Sequence, residues 1–320
     1  MLPDLAVVIV THNSIHVVGD LLDSLPAALD GLTADVIVVD NGSTDGTADF
    51  LMARGGCRVV RSANVGYAGG INRGVREAIQ AEAILVLNPD VRLHSRSVPP
   101  LLSALREPQM GIVAPQVRSS EGRLEFSLRR EPTLLRAMGL TRTRLAVFSE
   151  YLAKPSDYTR PRTVDWALGA VLLMSRTCYE ALGGWDETYF LYSEETDLAL
   201  RARDIGLLTW YEPRAVAVHI GGQSGRNHRT HAMQVINRVR LYRRRHGALA
   251  SWCYYWLAVA RGLSRVPRGH PESWSAALAL LWPARRPGEL GCSGHRMPRL
   301  WCPQPVIWLI AHGNEMRGKP

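Results

Sequence analysis

The chain has 320 residues, enough for one large α/β domain with an appendage, and its hydrophobic content of 46% permits a sizeable core. The net charge of +9 arises in the last third, where positions 221–320 hold 16 Lys and Arg against 3 Asp and Glu, whereas positions 1–220 hold 22 against 26. No run of about 18 apolar residues, no basic and apolar leader and no CxxC pair is present, so we expect no spanning helix, no secretion, and no zinc or disulfide framework.

In the first hundred residues, short β-branched runs alternate with helix-like stretches. This alternation predicts an α/β fold with a doubly wound, mostly parallel sheet, which binds ligands at the carboxyl ends of its strands. The predicted strands are Ala6–Val10, Val36–Val39, Arg58–Val60 and Ala83–Leu87, and the predicted helices lie near 14–29, 45–53 and 68–80.

Polar residues follow three of these strands directly. They are Thr11, His12 and Asn13 after the first strand, Asp40, Asn41 and Gly42 after the second, and Asn88, Pro89 and Asp90 after the fourth. Asn, Asp and Gly are also ordinary turn and capping residues, so each group alone has two explanations. Because three strand ends agree, we predict a binding site along one edge of the sheet, where Asp40 accepts hydrogen bonds from a pyrimidine or a ribose.

A glycine-rich loop, NVGYAGGINRG at positions 64–74, leads into the third predicted helix. Its glycines permit close backbone approach, and a helix N-terminus favours a phosphate group. The loop matches neither GxGxxG after a first strand nor GxxxxGK[ST], so the sequence does not favour a dinucleotide-binding or ATPase fold.

The segment Asn88-Pro89-Asp90 suggests a metal site. An aspartate at a strand end can hold a hard divalent cation that bridges a diphosphate, with few other protein ligands. His219, which follows the apolar run AVAV, is either a second ligand through its neutral imidazole or a strand-end histidine satisfied by the backbone.

Residues 91–160 follow a looser pattern that suggests an acceptor-side loop or edge elements, and a second ordered block runs from Val164 to His219. In that block, Glu194, Glu195 and Asp197 crowd the start of a predicted helix. The helix dipole alone favours acidic residues there. Three carboxylates within four positions also repel one another, which in a cleft raises the pKa of at least one, as a general base requires.

Positions 230–264 read as one long amphipathic helical stretch that is rich in Arg and contains the run WCYYWLAVA. This pattern is typical either of a solvated helical face or of a segment that rests on an anionic membrane surface. No nucleic-acid-binding signature accompanies the positive charge, so we expect no nucleic acid partner. The stretch 266–320 carries no assignable periodicity.

These motifs together resemble the GT-A glycosyltransferases of family 2, and within them the bacterial rhamnosyltransferase-like branch. The resemblance covers about residues 5–245. It depends on seven blocks in the expected order, namely VVIVTHNS, VIVVDNGSTDGT, NVGYAGGINRG, VLNPDV, the LGA segment, GGWDETYFLYSEETDLALR and HIGGQS.

The resemblance implies a role for each matching residue. Two features depart from the usual pattern: NPD replaces DxD, and the usual ED pair is Glu194-Glu195, which leaves open which glutamate is the base. The implied catalytic residues are Glu195 and Glu194; the nucleotide-binding residues are Thr11, Asn13, Asp40, Asn64, Asn72 and Asn88; the sugar and acceptor residues are Trp166, Gly169, Trp185 and Asp186; and the metal ligands are Asp90 and His219.

The implied protein is an inverting, metal-dependent hexosyltransferase of cell-envelope polysaccharide synthesis, using Mg²⁺ or Mn²⁺. The implied donor is dTDP-rhamnose, the acceptor is a lipid-linked or soluble saccharide, and the location is cytoplasmic, on the inner face of the membrane. We expect a catalytic domain at 1–225, with a nucleotide half at 1–115 and an acceptor half at 116–225, followed by a helical extension at 226–265 and a tail at 266–320.

Two other functions remain open from the sequence. A nucleotidyltransferase shares the sheet and the metal-diphosphate site, but usually carries glycines with Arg and Lys where this chain has THNS. A non-catalytic, membrane-associated sugar-binding or scaffold protein is disfavoured because Asp40, Asp90, Glu195 and His219 are all present.

Overall fold

The computed structural model of the protein describes residues 2–221 and 227–288. A nine-stranded sheet with the order β3-β2-β1-β4-β10-β6-β11-β5, and with β8 paired to β11, forms the centre of the molecule, and β7 and β9 form a separate pair. The strands are β1 Leu5–Thr11, β2 Ala34–Asn41, β3 Arg58–Ser62, β4 Ala83–Leu87, β5 Val91–Leu93, β6 Met110–Ser119, β7 Leu128–Arg129, β8 Arg162–Val164, β9 Trp166–Ala167, β10 Val171–Ser175 and β11 Leu208–His219.

Helices cover both faces of this sheet, as alternating strands and helices predict. Alternate residues of β1 face opposite sides: Val7 and Ile9 belong to the core beneath α1 and α4, whereas Val8 and Val10 belong to the core beneath α3 and α7. The helices are α1 Val18–Leu29, α2 Thr47–Arg54, α3 Gly66–Glu77, α4 Val98–Leu105, α5 Leu134–Ala137, α6 Arg176–Ala181, α7 Glu194–Asp204, α8 His228–Arg245, α9 Ala248–Arg265 and α10 Glu272–Leu281.

The first four strands of the sheet, β3, β2, β1 and β4, pair in parallel. Antiparallel pairing begins at β10, which lies between β4 and β6, and occurs again where β5 and β8 join β11. The prediction of a large α/β sheet flanked by helices is confirmed. The strands β5, β8 and β10, which form the antiparallel pairs, all lie after residue 90, where the sequence analysis assigned no strand bounds.

The glycines of the 64–74 loop have a different role from the predicted one. A Cβ added at Gly70 would lie 2.7 Å from Val10, and one at Gly74 would lie 2.5 Å from Val8. These glycines therefore let α3 pack closely on β1, and they face the protein core rather than a phosphate.

The C-terminal part forms a three-helix unit instead of one long helical stretch. His246 and Gly247 adopt extended backbone conformations that separate α8 from α9. Rings stack across the break, with Tyr242 centred 3.8 Å from His246 and 4.0 Å from Tyr254. The third helix, α10, lies in the stretch that had no assigned structure, and positions 289–320 lie outside the described residues.

Among residues 2–221 and 227–288, no helix combines the length and the apolar character that crossing a bilayer requires.

Candidate active site

The carboxyl ends of β1 and β2 form the first part of the site. Thr11 and Asp40 are register partners, and the Thr11 hydroxyl donates to Asp40 Oδ1 at 3.2 Å. The second carboxylate oxygen of Asp40 accepts the backbone N–H of Ser43 at 3.2 Å. These bonds hold a buried carboxylate at the sheet edge, where the sequence predicted it.

Asn13 and Asn64 lie on the loops that border this edge. Asn13 has a left-handed backbone (φ 54°), and its Oδ1 accepts the backbone N–H of Thr44 at 2.8 Å. Asn64 Oδ1 accepts the side-chain amide of Asn41 at 3.0 Å, and Asn41 in turn accepts the backbone N–H of Val65 at 3.1 Å. The two predicted nucleotide residues are therefore part of a network that fixes the shape of the loops.

Asn72 does not have the environment predicted for a nucleotide contact. Its Nδ2 donates to the carbonyl of Trp185 at 2.8 Å and to Glu187 Oε1 at 2.9 Å. Its Oδ1 accepts the Trp185 N–H and the Tyr179 hydroxyl, each at 3.0 Å. Because an amide has two donors and two acceptor lone pairs, all hydrogen-bonding capacity is used. Asn72 instead joins α3 to the segment that precedes the two glutamates.

Asp90 and His219 are brought together by the pairing of β5 with β11. Val91 is the register partner of His219, and the backbone N–H of Ile220 donates to the carbonyl of Asp90 at 2.9 Å. His219 Nε2 lies 3.5 Å from Asp90 Oδ1, and His219 Nδ1 lies 3.6 Å from Glu125 Oε2. Burial acts to lower the pKa of His219, but the two carboxylates outweigh it and the pKa is raised.

This donor set fits a divalent cation. Two ligands that occupy adjacent octahedral positions about 2.1 Å from a metal are about 3 Å apart, close to the separation of Asp90 Oδ1 and His219 Nε2. Glu125, on the other ring nitrogen, is placed as the carboxylate that orients a ligating imidazole. No cluster of three or more metal-binding side chains was found in the described residues. Mg²⁺ sites commonly combine one or two carboxylates with water and with substrate phosphate oxygens.

Glu194 and Glu195 begin α7 after a strained turn. Tyr192 (φ 69°) and Ser193 (φ 73°) are consecutive left-handed residues that are not glycine. A non-glycine residue in this region costs on the order of 1 kcal/mol or more, and such residues cluster at functional sites. Asp197, the third carboxylate, forms an ion pair with Arg201 at 2.6 Å. The two glutamates are thus the acidic side chains left unneutralised at this end of α7.

Both glutamates are desolvated. Burial is the main cause that raises the pKa of each, and Glu195 adds to the rise at Glu194. One carboxylate oxygen of each is buried without a hydrogen-bond partner among the described residues. Glu195 also contacts the backbone at Gly169, where an added Cβ would lie 3.2 Å from Glu195 Cβ. A raised pKa and a free oxygen are properties of a general base.

Tyr67 connects the glutamates with the predicted metal site. Its hydroxyl donates to the carbonyl of Gly169 at 3.3 Å. Burial raises the pKa of Tyr67 well above its usual value, and the charges of Glu194, Glu195 and Asp90 raise it further. The backbone N–H of Asn88 donates to the carbonyl of Ala170 at 2.9 Å, directly after Gly169. The segment Gly169-Ala170 therefore contacts Tyr67, Glu195 and the strand end that precedes Asp90.

The four predicted acceptor residues have different surroundings. Trp166 is buried, and its indole N–H donates to the Arg130 carbonyl at 3.0 Å. Trp185 packs edge-on against Tyr67, with ring centroids 6.3 Å apart. Asp186 is bonded to Thr188 and Arg244; burial opposes the change, but these contacts lower its pKa. Asp186 therefore holds its own loop in place rather than presenting a free carboxylate.

Sequence reasoning missed Tyr67, Glu125 and Arg129. Tyr67 lies inside the glycine-rich loop, where only the glycines drew notice. Glu125 and Arg129 lie in the loosely patterned region 91–160, and no periodicity marks them. Arg129 reaches the site only through the pairing of β7 with β9, and Glu125 follows β6, which pairs with the distant strand β11.

Comparison with known proteins shows related sequences over most of the chain. The family described as Glycosyl transferase family 2 matches residues 6–160. The N-acetylglucosaminyl-diphospho-decaprenol L-rhamnosyltransferase of Mycobacterium tuberculosis is 31% identical over 252 residues, which span 71% of this chain and 80% of that protein. The rhamnosyltransferase WbbL of Escherichia coli is 24% identical over 69% of this chain and 85% of its own.

Solved structures share the fold at lower identity. The mannosyltransferase PcManGT from Pyrobaculum calidifontis, solved with GDP-Man and Mn²⁺, superposes with a TM-score of 0.54 and 18% identity over 88% of this chain and 76% of its own. TarS from S. aureus gives a TM-score of 0.53 and 14% identity over 89% of this chain and 50% of its own.

Proposed function

The chain belongs to glycosyl transferase family 2, and from this premise we propose that it transfers a sugar from a nucleotide-diphosphate donor to a hydroxyl of a lipid-linked saccharide, with inversion. The proposal is supported by two contacts: Asp90 and His219 lie 3.5 Å apart at the sheet edge, and Glu195 packs on Gly169, whose carbonyl accepts the Tyr67 hydroxyl. A cation site for the leaving diphosphate and a desolvated base for the acceptor hydroxyl are what a single displacement at an anomeric carbon needs.

In the proposed reaction, Glu195 removes the proton from the acceptor hydroxyl while that oxygen attacks the anomeric carbon. The bond from that carbon to the diphosphate breaks on the opposite side, so the configuration inverts. Glu195 is preferred over Glu194 because it contacts the backbone at Gly169, whereas Glu194 is more deeply buried. Base assistance of this kind contributes about 10²–10⁴-fold to the rate.

Asp90 and His219 would hold a divalent cation, Mg²⁺ or Mn²⁺, which when bound neutralises charge on the departing diphosphate. Glu125 would keep the His219 ring in the orientation that points Nε2 toward Asp90. Thr11, Asp40, Asn13 and the Asn64 loop border the proposed nucleotide pocket. Electrostatic contacts to a leaving group are typically worth about a hundredfold or more in rate.

The relatives guide the choice of substrates. Two of them are named as rhamnosyltransferases, and the mycobacterial one acts on N-acetylglucosaminyl-diphospho-decaprenol. We propose dTDP-rhamnose as the donor and a saccharide linked to a polyprenyl diphosphate as the acceptor.

A lipid-linked acceptor requires access to a membrane surface, and α9 offers a suitable face. Leu249, Trp252, Trp256 and Leu263 are all exposed and follow a helical spacing that places them on one side. Arg268, just beyond α9, is also exposed. Aromatic and aliphatic side chains near arginines suit an anionic bilayer surface. We propose that this face rests on the inner leaflet of the cell membrane.

A second group of exposed apolar side chains lies on the segment 134–148. The helix α5 packs against α9, and a Cβ at Gly139 would lie 3.4 Å from Arg261. The exposed apolar side chains of this segment are Leu135, Met138, Leu140, Leu145 and Val147. We call these residues, together with the exposed apolar residues of α9, the apolar face.

The test is a transfer assay with a panel of nucleotide sugars and an N-acetylglucosaminyl-diphospho-lipid acceptor, with Mg²⁺, Mn²⁺ or EDTA. We expect metal-dependent transfer, with the highest kcat/KM for dTDP-rhamnose, and loss of at least a hundredfold in Asp90→Ala. Arg106→Gln, an exposed arginine that pairs with Glu82 at the amino end of β4, is the control. Release of diphosphate when a nucleoside triphosphate and a sugar 1-phosphate replace the nucleotide sugar would favour a nucleotidyltransferase. Absence of both transfer and donor hydrolysis with every metal would contradict the proposed function.

A further inference from the structure

Arg129 occupies the strand next to the proposed base. It lies on β7 and is the register partner of Trp166 on β9. Three residues after Trp166 comes Gly169, against which Glu195 packs. Arg129 is therefore on the acceptor side of the cleft, separated from Glu195 by the short β9 segment.

The guanidinium of Arg129 is mostly enclosed by aromatic rings. Its central carbon lies 3.8 Å from the ring centre of Tyr151 and 5.7 Å from that of Trp166. One of its nitrogens, Nη1, donates to the carbonyls of Phe126 and Leu128. Among the described residues no carboxylate forms an ion pair with it, and burial lowers its pKa. A largely buried cation without a counter-anion is costly unless an anion is bound there during function.

A second arginine faces the same tryptophan. Arg238 of α8 lies 5.8 Å from the Trp166 ring, and it forms an ion pair with Glu150, next to Tyr151. The chain before Glu150 leads back to Leu145 and Val147 of the apolar face. Following the strand pairing and the chain, the base is therefore next to Arg129, and Glu150, the partner of Arg238, is close in sequence to the apolar face.

We propose that Arg129, assisted by Arg238, binds the diphosphate that links the acceptor sugar to its lipid. The inference rests on the proposed function, because it concerns the acceptor of the same site. The acceptor hydroxyl then lies at Glu195, the diphosphate lies at the planar guanidinium, which can form paired bonds to phosphate oxygens, and the lipid chain leaves over the apolar face.

Arg129 could instead serve only to balance the negative charge of Glu195. Burial raises the pKa of Glu195, and the positive charge of Arg129 opposes that rise. If this were its only task, loss of the charge would shift the pH dependence of transfer by the same amount for every acceptor. Diphosphate binding instead predicts an effect that depends on the acceptor, which separates the two explanations.

The experiment compares two acceptors with the same sugar and the same alkyl chain, one joined through a diphosphate and the other through a glycosidic oxygen. For Arg129→Gln we expect kcat/KM for the diphosphate acceptor to fall at least tenfold more than for the neutral acceptor, mainly through KM. Arg129→Lys keeps the positive charge but loses the fork of donors. Its kcat/KM for the diphosphate acceptor is expected to lie between those of the native protein and Arg129→Gln. Arg106→Gln controls for the loss of one surface charge.

Transfer to the neutral acceptor shows at the same time that each variant is folded and that the proposed function holds. An equal loss on both acceptors at every pH would overturn the inference and leave the transferase activity intact. The unaltered protein gives a further test, because it should prefer the diphosphate acceptor at low salt and lose part of this preference as salt rises. Equal kcat/KM for the two acceptors at low salt would also overturn the inference.

Discussion

At the scale of single residues, the adjacent glutamates at the start of α7 are unfavourable for folding, because burial disfavours the charged form of each. Glu194 and Glu195 lack partners for one oxygen each, and burial raises the pKa of both. A carboxylate that is hard to ionise is also a stronger base once it is ionised. The desolvation that makes these glutamates stronger bases therefore also lowers the stability of the folded protein.

Glu195→Gln is expected to abolish transfer and to stabilise the protein. The amide keeps the shape of the side chain but cannot take a proton. In the native protein the raised pKa means that folding favours the protonated form, so this stability is present at acidic pH and is lost as pH rises through the folded-state pKa. Because glutamine does not ionise, the variant does not lose this stability as the pH rises. We expect a melting temperature roughly 1–4 °C higher at neutral pH, and little difference near pH 4, by calorimetry.

The matched variant at this pair is Glu194→Gln. It should raise the melting temperature in the same way, while transfer persists at a reduced rate because Glu195 remains. If Glu195→Gln kept normal turnover and Glu194→Gln lost it, Glu194 would be the general base instead of Glu195.

Some site residues were accessible from sequence because chain order alone places them. Asp90 comes just after a strong strand, and Glu195 lies in the first turn of a helix that the acidic cluster marks. Asn72 was assigned a ligand role because the sequence does not show that Trp185 uses its amide. Arg129 depends on a two-residue strand whose partner lies 37 positions away, which no local pattern reveals.

At the scale of elements, α8 holds the loop that carries the base. Asn237 is buried, and its Nδ2 donates to the carbonyls of Leu191 at 2.8 Å and Tyr192 at 3.2 Å. Arg240, one turn further, donates to the Thr188 carbonyl at 2.6 Å. These bonds connect α8 to the strained turn before Glu194, so the helix stabilises the conformation that positions the base.

Asn237→Leu is expected to lower kcat by about 10- to 100-fold with little change in the KM for the donor. The apolar side chain has a similar size but leaves two carbonyls unbonded and releases the strained turn, so Glu195 is less well placed. Steady-state kinetics with the donor varied checks this, and Gln234→Ala on the exposed side of α8 is the control. A change confined to donor KM would show that α8 acts elsewhere.

The apolar face gives a separate prediction for α9. Replacing both Trp252 and Trp256 by Ser should reduce flotation with vesicles that contain anionic lipid, because each buried indole contributes to interfacial binding. Transfer to a water-soluble acceptor should be unchanged. Ile79→Ser, another exposed apolar position outside this face, is the control. Equal flotation of the double variant, or of the native protein with neutral and anionic vesicles, would contradict the docking proposal.

At the scale of the whole molecule, the sequence predicted the nucleotide half well and the acceptor half poorly. Parallel strands buried on both faces leave continuous apolar runs, such as AVVIV and AILVL, that are visible without a structure. The two-residue strands β7 and β9 leave no such pattern, because their positions are set by contacts with distant segments, and only the run AVAV of the bulged β11 is visible.

The contacts of α8 indicate that the catalytic unit extends beyond residue 225. The predicted boundary at 225 would separate Glu195 from the helix that holds its loop, and would remove Arg244, which bonds to Asp186 on the same loop. Arg245 joins α8 to α7 as well, through Asp204 at 2.7 Å. These contacts connect the C-terminal helices to the loop and helix of the base, in addition to the membrane face that they carry.

A chain that ends at residue 225 is therefore expected to lose transfer even though its sheet remains. Loss of α8 removes the hydrogen bonds to Leu191, Tyr192 and Thr188, so the turn before Glu194 has no support and is free to relax from its left-handed conformation. Transfer and nucleotide binding, measured on the shortened and full chains, separate the two halves of the site. We expect the shortened chain to bind the donor nucleotide, since Thr11 and Asp40 keep their contacts, but to show at least a hundredfold lower kcat. Near-normal turnover at 225 residues would place the boundary where the sequence first put it and would reduce α8 to a tether for the membrane surface.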